Sequence, residues 1–298
     1  AGDGAALLSI TPSGATNLAM TVNAGGAGSL DQLITNGGTN ANVFDYTPSA
    51  TTDADGVITV DAESVTFTGV EGVTLAGQDG IDSVTFNDAT GTSNDSVVFT
   101  PGVGDSGTVQ VNTSTPVVFT SLETRTIDTS DGTDTLTVQG TSNNDAILVT
   151  GTGTTTTLSI NGLTTTFTHD ITAEDNLVLN TGDGSDTVTV TPTAGVAVDV
   201  NGGNPSDGDT VIVNATTGTD TIMISAASVA ITGLPTVDLS GIEQIDVNSL
   251  GDADTITVND MTATNVALVN IDVATGDTDS VTIHGSSGSD RVSIADEG

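Results

Sequence analysis

Cysteine, tryptophan and lysine are absent from the 298 residues, and tyrosine occurs once. Without cysteine there is no disulfide framework and no thiolate metal site. Only Arg125 and Arg291 carry a full positive charge, against 39 acidic residues, for a formal net charge of -37. Phosphate recognition needs lysine and arginine, so nucleic acid is excluded as a partner. An anionic membrane surface is excluded for the same reason. No apolar run approaches the ~18 residues that would cross a bilayer as a helix, so membrane insertion is not expected.

What is present points to order. A strong charge imbalance belongs to disordered chains unless enough apolar surface is available to bury. Here 35% of residues are hydrophobic, most of them in short Val/Ile/Leu/Thr alternations. A period of two places alternate side chains on one face of a strand, and β-branched residues suit that pleated surface. The chain therefore reads as all-β, with an anionic surface that repels itself unless cations or salt screen it.

The alternation is organised in repeats. TGDGSDTVTV (Thr181–Val190) is a glycine-rich turn feeding a short strand, and close copies occur as QDGIDSVTF (Gln78–Phe86), SDGTDTLTV (Ser130–Val138), SDGDTVIV (Ser206–Val213), GDADTITV (Gly251–Val258) and GDTDSVTI (Gly276–Ile283). The glycines admit backbone angles closed to other residues, so each copy predicts a tight turn entering a strand. Asp31, Asp82, Asp134, Asp186 and Asp254 are spaced by 51, 52, 52 and 68 residues. Glu71, Glu123, Glu174 and Glu243 form a second series, at strands leading into the next aspartate turn. A third marker is a Gly-Thr or Gly-Ser turn, as in GTSNDSVVF (Gly91–Phe99) and GTSNNDAILV (Gly140–Val149).

The unit is thus an aspartate turn, a strand, a Gly-Thr turn, a strand, a variable pair of strands and a glutamate-bearing strand. Approximate units are 1–77, 78–129, 130–181, 182–250 and 251–298 of a single elongated body. A 52-residue unit corresponds to two coils of about 26, and the 68-residue unit to three of about 23, in the range of stacked β-solenoid turns. About a dozen coils of a parallel β-helix or β-solenoid result, roughly 55–60 Å long at ~4.8 Å per strand. A row of small β-sandwiches is the alternative, although 52 residues is little chain for an independent core. Both termini fall inside the repeat pattern, where a solenoid needs caps, so either a longer array or covering of the ends by other copies is expected.

The residues that could carry chemistry are the aspartate pairs Asp79/Asp82, Asp131/Asp134, Asp183/Asp186, Asp207/Asp209, Asp252/Asp254 and Asp277/Asp279. Ca²⁺ takes six to eight oxygens from carboxylates, backbone carbonyls and water, and glycine-rich turns expose carbonyls. The competing reading is that these aspartates form turns and cap backbone N–H groups. TGDGSDTVT (Thr181–Thr189) departs from the nonapeptide G-G-x-G-x-D-x-hydrophobic-x only at its first glycine, GSSGSDRVS (Gly285–Ser293) at one glycine, and TSDGTDTLT (Thr129–Thr137) at two. The chain therefore resembles bacterial extracellular surface proteins with hemolysin-type, RTX-like calcium-binding repeats. That resemblance implies bound Ca²⁺ at the turns and a location outside the cell or on its surface.

Other chemistries are poorly supplied. Near-identical carboxylate pairs are spread along the body, so none stands out as a hydrolytic acid and base. His169 and His284 lie in no motif, and no G-x-S-x-G elbow occurs. No enzymatic activity is expected. Phe67, Phe86, Phe99, Phe119 and Phe167 alternate with polar residues and read as core rather than as a platform for surface glycans. Thr135/Thr137, Thr187/Thr189 and Thr255/Thr257 could form outward ladders of the kind that order water or ice. Arg125 and Arg291 are each expected to pair with a nearby carboxylate. The functional expectation is a structural protein: a subunit or segment of a fibre or sheath that assembles head-to-tail and is stabilised by calcium. The alternative is a monomeric adhesin stalk or binding module for glycan or ice.

Overall fold

A computed structural model describes residues 5–11, 19–24, 30–88, 94–129, 131–170, 175–204, 208–262, 264–274, 278–285 and 291. Among these residues every regular element is a strand. The chain opens with β1 (Leu7–Ile10) and β2 (Ala19–Asn23). The first full repeat is β3 (Gln32–Asn36), β4 (Val43–Pro48), β5 (Gly56–Val60) and β6 (Glu63–Thr68). The second begins with β7 (Gly72–Ala76) and β8 (Ser83–Asn87), then β9 (Ser96–Pro101), β10 (Gly107–Val111) and β11 (Val117–Thr120). The third runs through β12 (Thr124–Asp128), β13 (Thr135–Gln139), β14 (Ala146–Thr152), β15 (Thr155–Ile160) and β16 (Leu163–Thr168). An extra coil follows in β17 (Asp175–Asn180), β18 (Thr187–Val190) and β19 (Val196–Asn201). The last repeats hold β20 (Thr210–Asn214), β21 (Thr221–Ser225), β22 (Ser228–Ile231), β23 (Val237–Ser240), β24 (Gln244–Asn248), β25 (Thr255–Val258), β26 (Leu268–Asp272) and β27 (Ser280–Ile283).

These strands form two mostly parallel sheets, as a β-solenoid requires. The first sheet has the order β1-β3-β7-β11-β10-β9-β13-β17-β19-β23-β22-β21-β25-β27, and the second β2-β6-β5-β4-β8-β12-β16-β15-β14-β18-β20-β24-β26. Successive strands alternate between sheets except at four places. The sequence predicts parallel stacking throughout; the structure instead inserts four antiparallel triplets, β4–β6, β9–β11, β14–β16 and β21–β23. Each triplet is the Gly-Thr strand plus the variable pair of strands. The chain overshoots by two strand positions, then meanders back to its neighbour. A hairpin has the same two-residue period as a parallel strand, so periodicity alone does not separate them.

Alternate residues of every central strand point into one continuous apolar core between the sheets. All six phenylalanines and Tyr46 lie in it, each with at most 1% of its surface exposed. Tyr46 packs on Phe67 and Phe86 with ring centroids 6.4 and 6.3 Å apart, and Phe119 continues the row to Phe86 (5.8 Å) and Phe99 (6.2 Å). Arg125 is in phase with Ile127 on β12 and is therefore carried inward, where it is buried. Its guanidinium donates to the Leu122 and Thr164 carbonyls, meets Asp105 at 3.6 Å and lies over the Phe119 ring. The expected carboxylate partner exists for Arg125; Arg291 is exposed.

Candidate functional site: stacked carboxylate caps

Most corners that carry the chain from one sheet to the other end in a carboxylate; those entering β4, β19 and β26 end in Asn42, Gly195 and Ala267. The structure divides the aspartate pairs. Asp79, Asp131, Asp183 and Asp252 are exposed on the turns, whereas Asp82, Asp134, Asp186, Asp209 and Asp254 are buried at strand entries and Asp279 is half-buried. Asp207 and Asp277 lie outside the described residues.

The buried members form vertical ladders. In each, one carboxylate oxygen accepts the backbone N–H of the equivalent residue one level earlier. In the second sheet Asp186 Oδ1 accepts from Asp145 N–H (2.7 Å), Asp209 Oδ1 from Asp186 N–H (2.8 Å) and Glu243 Oε2 from Asp209 N–H (3.0 Å). Nearer the N-terminus Asp82 Oδ1 accepts from Asn42 N–H (2.6 Å) and Glu123 Oε2 from Asp82 N–H (2.7 Å). The first sheet repeats the device three times. Asp31 and Glu71 cap Ala6 and Asp31; Asp134 and Asp175 cap Asp95 and Asp134; Asp254 and Asp279 cap Asp220 and Asp254. A first backbone N–H at a strand entry has no ladder partner of its own, and a charged acceptor satisfies it more strongly than a neutral one.

The second oxygen has two fates. In Asp82, Asp145 and Asp220 it closes the turn on the N–H four residues earlier, at Gln78 (3.0 Å), Thr141 (2.7 Å) and Thr216 (2.9 Å). In Asp134, Asp186, Asp209 and Asp254 the Oδ2 is buried without a partner, as is Glu243 Oε1. Burial pushes the Asp134 carboxyl up to about 6, with the Asp175, Asp95 and Asp88 carboxylates adding to the rise and the Asp95 N–H opposing it. Burial also raises Asp209 to about 6, opposed by the Asp186 N–H and reinforced by the Asp186 and Glu243 charges.

A raised carboxyl binds a proton more tightly folded than unfolded, so acidification stabilises the fold. For Asp134 and Asp209 this gain is complete below the unfolded value near 3.8 and is lost as pH rises through about 6. The melting temperature is therefore expected to rise between pH 7.5 and 5, and the double variant Asp134→Asn/Asp209→Asn to flatten that rise. A melting temperature that falls over the same interval in the native chain would contradict the burial of these two groups.

The sequence signals missed three ladder members. Asp95, Asp145 and Asp220 end the Gly-Thr turns and start the triplets, outside the Gly-rich copies that the calcium pattern singles out. The glutamate series, read as strand markers, proves to be caps; Asp175 takes that role beside Glu174, which lies outside the described residues. Repetition within the chain also shows a charge exchange. Asp145 Oδ1 accepts from Asn161 Nδ2 (2.6 Å), and Asp95 Oδ1 likewise from Asn112 Nδ2. In the first triplet the partners are swapped, with Asn42 Nδ2 donating to Asp61 Oδ2 (2.8 Å). Asp61, Asn112 and Asn161 all hold the left-handed turn conformation (φ 54, 52 and 51°) that Asn and Asp tolerate best.

No family model, curated protein or solved structure matches this chain. The reading of the site accordingly rests on its own geometry. Among the described residues no three His, Cys, Asp or Glu side chains converge as a metal-binding group. The buried carboxylate oxygens without a hydrogen-bond partner belong to Asp128, Asp134, Asp186, Asp209, Asp254 and Glu243, and a hard cation takes oxygens of this kind. His169 is buried, with Nε2 3.1 Å from Thr156 Oγ1, and burial lowers its proton affinity. A surface cleft of about 420 Å³ beside the Pro101–Asp105 turn is lined by one ionisable side chain, Asp105, which is engaged with Arg125.

Proposed function

We propose that this chain is a structural protein of the bacterial cell exterior, a subunit or segment of a surface fibre or sheath. The observation that carries this reading is the repeating cap. Five runs of the same N–H to carboxylate link, from Ala6–Asp31 to Asp254–Asp279, join successive levels within each run. Within each run a level offers its successor the groups it received from its predecessor, a pattern that further coils or copies of the chain could extend. A parallel edge with free N–H and C=O groups is a template for pairing, and a head-to-tail contact that does not close gives an open filament.

Calcium belongs to the same proposal. It rests on the nonapeptide resemblance and on the buried carboxylate oxygens that lack a donor. Its chemistry would be to neutralise stacked negative charge, with turn carbonyls and water completing the shell. Concentrated protein examined by electron microscopy is expected to form filaments in millimolar Ca²⁺ that disperse on chelation. Filaments indifferent to chelator would remove calcium from the reading. Isolated rods under both conditions would favour a monomeric stalk, which a net charge of -37 also supports through self-repulsion.

A further inference from the structure

The outer face of the second sheet carries a feature that the caps do not use. Across β8, β12, β16, β15 and β14, the register aligns Thr85, Thr126, Thr166, Thr157 and Thr150 in one row. A flanking row holds Ser83, Thr124, Thr164, Ser159 and Leu148, and the other Asn87, Asp128, Thr168, Thr155 and Thr152. The inward neighbours Phe86, Ile127, Phe167, Leu158 and Val149 are buried, which fixes the face that these residues present. The ladders expected from sequence are different and form only as pairs: Thr187 meets Thr210, Thr255 meets Thr221 and Thr257 meets Thr282. Thr137 lies between Val98 and Val178, Thr189 between Leu148 and Ile212, and Thr257 between Met223 and Thr282.

Three properties of the array define what fits it. It is a grid, with rows ~4.8 Å apart across strands and positions ~6.8 Å apart along them. Its side chains are stiff, because branching at Cβ restricts χ1 and holds hydroxyl and methyl in fixed places. It is sparsely charged: Asp128 is the one ionisable group in the fifteen positions, and the central row runs on from Thr85 to Asp45 on β4. None of the five central hydroxyls is hydrogen-bonded within the described chain, so each is free to donate and accept outward.

A cation would find no carboxylate cluster here, and a glycan no aromatic platform. A second copy brought face to face would have to overcome the repulsion of two strongly anionic chains. A lattice of mostly neutral hydrogen-bond donors and acceptors with repeats of a few ångströms meets none of these objections. We infer that this threonine array binds the ice lattice, the hydroxyls anchoring a first layer of ordered water and the methyls spacing it. The inference is independent of whether the chain assembles into filaments.

The test is thermal hysteresis and partition into a slowly growing ice front, with the complete chain. The native protein is expected to depress freezing without changing melting, and to enter ice. Thr157→Tyr, at the most exposed position of the central row, is expected to reduce hysteresis about tenfold, the effect of losing ~1.4 kcal/mol of contact. Thr157→Lys, a solvated chain, should do the same should the tyrosine disturb folding. Thr108→Tyr, on the outer face of the first sheet, should leave activity unchanged. Native protein excluded from ice, position-157 variants that fold and keep full activity, or an equal loss in Thr108→Tyr would each overturn the inference.

Discussion

Asp82→Ala is expected to lower the free energy of unfolding by about 4 kcal/mol, because two backbone donors lose a charged acceptor at ~1.5–3 kcal/mol each. Asp82 is fully buried, with Oδ1 on the Asn42 N–H and Oδ2 on the Gln78 N–H. Alanine leaves both unpaired, and the first is itself buried. Removing one negative charge from a strongly anionic chain works in the opposite direction. Asp82→Asn separates the two contributions. Its amide oxygen can serve one N–H, while its NH₂ is turned against the other donor, so an intermediate loss of about 1–2 kcal/mol is expected. Denaturant midpoints of the three proteins measure the order directly. Should Asp82→Ala match the native protein within ~0.5 kcal/mol, the cap is not what holds adjacent coils in register.

Much of this architecture was legible because one physical demand recurs at each coil. A strand entry needs an acceptor for its first N–H, and that demand appears in sequence as Asp31, Asp82, Asp134, Asp186 and Asp254 at nearly constant spacing. The phenylalanines were legible for a similar reason, since each alternates with a polar residue and is buried. The triplets were not, because reversing a strand leaves its two-residue period unchanged. Nor was the threonine array. Which rows align depends on pairing partners far apart in sequence, such as Thr126 with Thr166, and single strands do not encode that choice. Arg125 lay between the two cases: T-R-T-I-D places it in phase with Ile127, a sign that the rarity of bases in this chain obscured.

The glycines separate what turn conformation explains from what space explains. Gly80, Gly132, Gly182 and Gly184 sit at φ 132, 131, 102 and 140°, which is the reason their turns predict glycine. Gly77 and Gly140 have no such angle. A Cβ on Gly140 would lie 2.0 Å from the Thr181 carbonyl oxygen and 2.8 Å from Asp145 Oδ2. On Gly77 it would lie 1.8 Å from the Ser121 carbonyl oxygen. Both contacts are with the backbone of another corner, which is itself held by the Gly140 N–H bond to the Asn180 carbonyl (2.7 Å) and the Gly77 N–H bond to the Thr120 carbonyl (2.8 Å).

Gly140→Ala is therefore expected to cost more than ~4 kcal/mol, or to prevent folding, since two corners and a cap must separate to admit one methyl. Two other glycines calibrate the cause. At Gly104 a Cβ meets nothing within 4 Å but φ is +64°, so Gly104→Ala should cost only ~1–2 kcal/mol of backbone strain. At Gly218 the nearest atom is 3.7 Å away and φ lies outside the left-handed region, so alanine should be neutral or stabilising by up to ~1 kcal/mol. Unfolding free energies in the order Gly218→Ala, Gly104→Ala, Gly140→Ala would show that corner contact, more than turn conformation, limits how closely the coils stack. A Gly140→Ala protein as stable as Gly104→Ala would place that limit in the turns instead.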